Sequence, residues 1–493
     1  MARRITIEPL STLSQHEQHA HLAPAVEALR AEAAALARAL RGRTLWMINS
    51  TASGGGVSEM LPGVVGHLRE LGITAEWAVI ETDDAAFFDL TKRIHNMIHG
   101  DGEPGLSEAD RLLLERVNRE NADALSREVR RGDIVIVHDP QPIPLAGMLR
   151  ESTDITAIWR CHIGLDQHNA ATTDAWKFLQ PYAADYDHAV FSAPEYVPSF
   201  LEGKSTIIYP AIDPLTPKNR PLHVQSVVAV LERSGLLMAP GPPVGPRFDA
   251  PVRRLQPNGD WQVAVRPDDL GLLTRPIITQ VSRWDRLKGF LPLMRGFARF
   301  RRWLREDPDR DTSMQRRLGL SRLVLAGPDP DSIADDPEGV DVLNALRQDY
   351  LACDADVRPD IALVALPMRD PAVNALIVNA LQRVSTIVVQ NSLREGFGLT
   401  ITEAMWKGVP VLSNSKACGP RQQIRDGVDG RLIGDPEDID AIAGALHAML
   451  AADPLEEWGR NAQQHVHGHF LIYSQLRHWV RLLTTLMGSA KAA

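Results

Sequence analysis

The sequence predicts an α/β protein built from two parallel-sheet domains. Three observations carry that expectation. A chain of 493 residues is too long for one ordinary hydrophobic core. Short β-branched runs alternate with amphipathic helical stretches through most of it, as parallel sheets covered on both faces require. One Pro- and Gly-dense stretch, 236–262, interrupts the alternation near the middle.

A charged helical segment, Pro24–Arg41, comes first, and Pro24 suits an opening helical position because the N–H it lacks would be unsatisfied there. Strands are expected at Thr44–Asn49, Ala75–Ile80, Asp133–His138, Ala157–Cys161 and Ala189–Ser192, with helices such as Val57–Leu71 and Leu112–Val129 between them. The stretch containing Ala239-Pro-Gly-Pro-Pro-Val-Gly-Pro246, Pro251 and Pro257 reads as a surface insertion near the link between domains. Beyond it, strands are expected at Pro276–Ser282, Arg322–Ala326, Ile361–Ala365, Thr386–Gln390 and Val409–Ser413, with helices at Phe290–Leu304 and Ala372–Arg383 and a closing helix at Leu471–Leu486. The expected division is an N-terminal helical extension (1–40), a first domain (41–217), a linker with the insertion (218–270), a second domain (271–470) and the closing helix (471–493).

Composition narrows the function. With 44% hydrophobic and 23% charged residues the chain has the make-up of a soluble globular protein. A formal charge of −9 argues against nucleic acid or an anionic membrane as the main partner. A few placed cations still suffice to hold a small anion. The three cysteines, 161, 353 and 418, are isolated and form no CxxC pair, so neither a disulfide framework nor a zinc site is expected. The N-terminus has no apolar h-region and no later run is long enough to span a bilayer, so a cytoplasmic location is expected.

In α/β sheets, ligand-binding residues sit just beyond the carboxyl ends of the strands. Five motifs stand there. Asn49-Ser-Thr-Ala-Ser-Gly54-Gly55-Gly56-Val-Ser58 lets backbone N–H groups approach an anion at a helix entrance, though a tight turn would use the same residues. His138-Asp139-Pro-Gln141-Pro142 can aim Asp139 and Gln141 at a ligand, or form a plain Asx turn. In Trp159-Arg160-Cys-His162-Ile163, His162 can meet a hydroxyl and Arg160 can brace an anion; a lone histidine is more often structural. Val281-Ser-Arg283-Trp-Asp-Arg-Leu-Lys288-Gly289 offers two cations suited to a pyrophosphate. The fifth is the most specific: Glu395-Gly396-Phe397-Gly398-Leu399-Thr-Ile-Thr-Glu403 places one carboxylate in a loop and another on the helix that follows. Ile401, Ala404, Met405 and Gly408 share the inward stripe of that helix, and Glu403 falls off it.

At these residues the sequence resembles the family-4 retaining glycosyltransferases, and within them the trehalose glycosyltransferring synthases. Glu395 and Glu403 reproduce that family's E-x7-E element. The likeness continues in order through Thr91-Lys-Arg-Ile-His-Asn96, Tyr209-Pro-Ala-Ile-Asp213, Ile278-Thr-Gln-Val-Ser-Arg283 and Asp335-Asp-Pro-Glu-Gly339, and spans about residues 40 to 470. The resemblance implies a GT-B fold, two Rossmann-like domains facing across a cleft, with the donor mainly on the second and the acceptor mainly on the first. It implies Arg283 and Lys288 on the donor diphosphate, Glu395 on the transferred sugar, and Glu403 on the nucleotide ribose. Gly396, Phe397, Gly398 and Leu399 would line the donor, and Gly54, Gly55 and Gly56 would approach it from the opposite side. His162 would touch the transferred sugar, and Asp139 would orient the acceptor with Gln141 and Arg160. The set expected to carry catalysis is His162, Arg283, Lys288 and Glu395.

The reaction so implied moves glucose from a nucleoside-diphosphate sugar to glucose with retention, forming trehalose. It would need no cofactor and no metal, and the partners would be a nucleotide sugar and a small sugar acceptor; the resemblance leaves a homodimer open. Cations beside the leaving diphosphate stabilise charge that develops as the anomeric bond breaks, so Glu395 need not be a glycosidase-type nucleophile. A retaining trehalose phosphorylase and transfer to a different acceptor are the alternatives. A dehydrogenase or epimerase is disfavoured by the absence of GxGxxG. Gly164 stands where the family has Asp, and Trp284-Asp-Arg-Leu-Lys288 replaces its Phe-Asp-Pro-Trp-Lys; both departures bear on acceptor identity.

Overall fold

The computed structural model describes residues 2–52, 56–238, 245–263, 270–306, 312–332, 337–452 and 455–489. They divide into two compact units, one of residues 1–213 with 470–493 and one of 214–469.

The first unit carries a seven-stranded sheet of β1 (Arg3–Arg4), β2 (Leu45–Asn49), β3 (Ala75–Val79), β4 (Ile134–His138), β5 (Thr156–Cys161), β6 (His188–Phe191) and β7 (Ser205–Ile207), in the order β1-β3-β2-β4-β5-β6-β7. All neighbours run parallel except β1, which pairs antiparallel with β3 at the edge. β2 and β4 are buried at every residue, the continuous apolar reading expected of strands covered on both faces. Residues 1–40 supply β1 and the helix Ala23–Ala39, which turns Val26, Leu29, Ala33 and Leu36 inward. Helix Ile472–Ser489 returns to this unit: Ile212 bridges to Leu471, and Arg477 and Arg481 pair with Glu32.

The second unit's sheet holds β8 (Arg253–Leu255), β9 (Trp261–Val263), β10 (Ile277–Val281), β11 (Arg322–Pro328), β12 (Ile361–Leu366), β13 (Ile387–Val389), β14 (Val411–Asn414) and β15 (Gly430–Ile433). Its order is β15-β14-β13-β10-β11-β12-β8-β9. The six strands from β15 to β12 are parallel, with Trp284, Phe290, Phe297 and Phe300 in the core on one face and Val230, Leu231, Ile377 and Leu381 on the other. The Pro- and Gly-dense stretch is only partly the irregular insertion that was expected. β8 and β9 form an antiparallel hairpin on the edge of β12, because Pro251 lies before the hairpin and Pro257 in its turn, leaving every paired residue an N–H to donate. Residues 239–244 of that stretch lie outside the described residues.

Candidate active site

In the second unit the site grows from the ends of β10 and β13. Asp285 caps a single 3-10 turn, Arg286–Lys288, by accepting from the Leu287 N–H at 2.7 Å. The fully buried Gln280 ties the loops together. Its amide donates to the Lys288 carbonyl at 2.7 Å and accepts from the Asn391 N–H at 3.1 Å. Gly289 follows with φ 63°, and a Cβ there would stand 2.1 Å from the Asn391 carbonyl oxygen. Gly289→Ala is therefore expected to cost about 2 kcal/mol of stability, read as a lower urea midpoint, since it adds left-handed strain to a backbone clash. An unchanged midpoint would show that the two loops are not so closely joined.

This loop contact brings Lys288 to Glu395. Glu395 Oε2 accepts from Lys288 Nζ at 2.8 Å, Ser392 Oγ at 2.9 Å and Gln390 Nε2 at 3.1 Å. Burial alone would push the Glu395 carboxyl upward, but the Lys288 charge and these hydrogen bonds outweigh it and hold the group below its ordinary range. Arg283 stands apart, with its side chain 75% exposed and 3.6 Å from Asp285.

Gly398, at φ 86°, turns the chain into helix Leu399–Trp406, and Gly419 allows close passage of the Phe397 backbone, where a Cβ would meet the carbonyl at 2.4 Å. Gln423 donates to that same carbonyl. Glu403 is 7% exposed, although it lies off the apolar stripe. Its carboxylate is 3.7 Å from Lys218 Nζ, and Lys407 Nζ donates to its backbone carbonyl at 3.0 Å. Burial depresses the Lys407 ammonium, with Glu403 opposing the shift.

In the first unit β4 and β5 end side by side, with His138 in register with Arg160. Asp139 then takes φ 64°, the one left-handed non-glycine among the described residues. Three contacts pin it: its N–H donates to the Arg160 carbonyl at 2.8 Å, its carbonyl accepts from Trp159 Nε1 at 3.0 Å, and Oδ1 accepts from the His162 N–H at 2.8 Å. Burial raises the Asp139 carboxyl to about 6, against the opposing pull of the His162 N–H and Arg160. The His138 and His162 rings stack 14° apart, with Nδ1 of the former 3.0 Å from Nε2 of the latter. Burial, then the Arg160 charge, depresses both, His138 to about 3, so both are neutral near pH 7.

Arg160 is 1% exposed. Its Nη2 donates to Ser192 and to the Ile208 carbonyl, and its Nη1 is buried without a hydrogen bond. Gln141 accepts at its backbone carbonyl from Asn118, and its side-chain Oε1 is likewise buried without one. Gly54 and Gly55 lie outside the described residues; Gly56 is exposed and opens helix Gly56–Glu70. Of the motif at 335–339, residues 335 and 336 also lie outside them.

Sequence reading passed over four participants. Gln280 and Gln390 sit inside strand-like runs, and His138 reads as the last residue of a strand. Their signal was the adjacency of parallel strand ends. Lys218 is 185 positions from Glu403 and has no local signal. Also passed over was Asp329-Pro-Asp331, an Asp-x-Asp pair at the end of β11. Both its carboxylates are engaged by Arg253, reached from β8.

Comparison with known proteins identifies the family. The trehalose synthase N-terminal domain model matches residues 47–198, and the glycosyl transferases group 1 model matches residues 372–465. A trehalose synthase of Rubrobacter xylanophilus is 36% identical, over 92% of this chain and 93% of its own length. One from Pyrococcus horikoshii is 33% identical, over 92% of each. A trehalose phosphorylase of Pleurotus pulmonarius is more distant, at 27% identity over 83% of this chain and 52% of its own. Among solved structures, the UDP-forming α,α-trehalose-phosphate synthase of Burkholderia xenovorans, determined with glucose 6-phosphate, superposes with a TM-score of 0.62 at 17% identity, covering 90% of this chain and 100% of that one. Fold and site together define a glycosyltransferase of GT-B fold. The chain belongs to the trehalose synthase family.

Proposed function

We propose that this protein transfers glucose from a nucleoside-diphosphate sugar to glucose, with retention at the anomeric carbon, to form trehalose. The observation that carries the reading is the triply hydrogen-bonded Glu395 beside Lys288 at the ends of two central strands. A carboxylate fixed against a cation is a preorganised receptor for sugar hydroxyls on one side and phosphate on the other, and its reorganisation cost is met in folding rather than during reaction. In this reading Lys288 and Arg283 stabilise the departing diphosphate, Glu395 binds the transferred sugar, and Glu403 binds the ribose. Gly54 to Gly56 and the Gly396–Leu399 loop supply backbone donors. Asp139 orients the acceptor hydroxyl by accepting a hydrogen bond from it, while the neutral His162 contacts the sugar and Gln141 Oε1 accepts from an acceptor hydroxyl. Arg160, given its burial, supports this strand end from beneath. The reaction runs without a cofactor or a metal in the transfer step, and the departing phosphate takes the acceptor proton.

The test is a panel of nucleotide-glucose donors with and without free glucose, followed by nucleotide release and by identification of the disaccharide. Trehalose with stoichiometric nucleotide is expected. Glucose 1-phosphate formed from trehalose and phosphate would instead place the protein with the phosphorylases. Nucleotide release coupled only to some other acceptor would move it to a specialised pathway.

A further inference from the structure

Away from the candidate active site, four separate stretches of the first unit converge on one buried point. Ser11 and His16 come from the N-terminal segment, and His67 and Glu70 from the end of helix Gly56–Glu70. Asp213 is the last residue before the chain leaves the unit, and Tyr473 opens the returning helix. The His16 and His67 side chains are 0% exposed and that of Asp213 is 9% exposed. His16 Nε2 lies 3.4 Å from Asp213 Oδ1, and His67 Nε2 lies 3.4 Å from Oδ2. One ligand atom from each of the three residues falls within 4.8 Å of the others.

The orientation of the two rings is the decisive feature. His67 Nδ1 is 3.2 Å from Glu70 Oε1, so this outer ring nitrogen is oriented by a carboxylate. Its Nε2 is buried and makes no hydrogen bond, yet it faces the Asp213 carboxylate. A ring nitrogen buried without a hydrogen bond beside a carboxylate is an arrangement that a metal ion would complete. At His16, Nδ1 is 2.6 Å from the Tyr473 hydroxyl, while Nε2 points toward Asp213 and lies 3.0 Å from Ser11 Oγ, whose hydroxyl donates to Asp213 Oδ2.

The spacing fits a metal. Four ligands about 2.1 Å from a tetrahedral zinc ion stand about 3.4 Å from one another, which is the separation of both nitrogen–oxygen pairs here. Binding the outer ring nitrogen to a carboxylate or hydroxyl is how ligand imidazoles are oriented, and Glu70 and Tyr473 occupy those places. Mixed imidazole and carboxylate donors suit a divalent transition metal rather than calcium or magnesium. We propose that His16, His67 and Asp213 bind one divalent transition-metal ion of the zinc type, which fastens the N-terminal segment to the residues that precede the crossover into the second unit. The role is structural and independent of the transfer reaction.

The test uses untagged full-length protein, stripped with chelator, given Zn2+ and desalted. Elemental analysis is expected to find about one zinc per chain, and Co2+ in its place should give the visible absorption of a four-coordinate site. His67→Gln should retain no zinc above background. Glu70→Gln, which leaves all three ligands in place, should weaken binding about ten- to a hundredfold. Saturating zinc should raise the Tm of the stripped wild type by several degrees and leave that of His67→Gln unmoved. Wild type that retains no zinc and shows no Tm shift would overturn the proposal. Zinc retained equally by wild type, His67→Gln and Glu70→Gln would overturn it as well, by placing the metal elsewhere. If His67→Gln does not fold, Glu70→Gln and the wild-type stoichiometry still decide.

Discussion

Lys288→Ala is expected to lower kcat/KM for the nucleotide-sugar donor about a thousandfold, the loss found when one preorganised charge is removed from a developing anion. The same change should cost about 3 kcal/mol of stability, because it leaves the Glu395 carboxylate buried without its cation. The pH dependence gives the sharper signature. In the native protein the Glu395 carboxyl lies below its ordinary range, so the stability it adds is present at neutral pH and lost as pH falls through its folded value. Without Lys288, desolvation dominates and the carboxyl rises above that range. Stability of the variant should then decline as pH increases toward neutral. Urea titrations of both proteins at several pH values check the sign. Adding Glu395→Gln to the variant should restore stability and leave activity low. Equal pH slopes in wild type and Lys288→Ala would remove this pair from the argument.

The second large effect belongs to Asp139. Asp139→Asn is expected to lower kcat/KM about a hundredfold or more, since the amide oxygen can still accept a hydrogen bond but lacks the negative charge that strengthens the bond to the acceptor hydroxyl. Asn tolerates the left-handed backbone nearly as well, so the fold should survive. Wild-type activity should fall as pH drops through about 6, where this carboxyl takes up its proton. The variant should lack that limb. The buried histidines cannot supply it, since both are already neutral there. Stability runs the other way for this group. Because its folded value is raised, the stability tied to its neutral form is fully present at acid pH and lost as pH rises through about 6. A pH–rate profile unchanged by Asp139→Asn would assign the limb to another group.

The strands that were legible in the sequence are those whose own residues declare burial. Leu45–Asn49, Ile134–His138 and Ile361–Leu366 are apolar at nearly every position because helices cover both faces. The strands that escaped are edge pieces held by their neighbours. β1 is two arginines whose pairing depends on β3, and β9 is Trp-Gln-Val, paired only with β8. Edge strands carry one ladder and one covered side at most, so neither alternation nor an apolar run marks them. The site divides along the same line. Asp139, Lys288, Glu395 and Glu403 could be singled out because each follows a strand or a glycine turn. Gln280, Lys218 and the His138–His162 stack required knowledge of which strand ends are neighbours. The burial of Glu403 was hidden because a helical stripe reports one face, and the helix Leu399–Trp406 is enclosed from Ile401 onward.

The returning helix Ile472–Ser489 has a consequence for how the protein is made. Residues 214–469 form a unit from one uninterrupted stretch, with its parallel strands available in order as they emerge from the ribosome. The first unit is encoded first and completed last, since its ladder partner for Ile212 and the arginines that clasp Glu32 come after that whole stretch. Until then the Ala23–Ala39 helix must wait with part of its packing surface uncovered. The order of assembly is therefore the reverse of the order of synthesis, and the unfinished first unit, rather than the second, is the species that chaperones would be called on to shield.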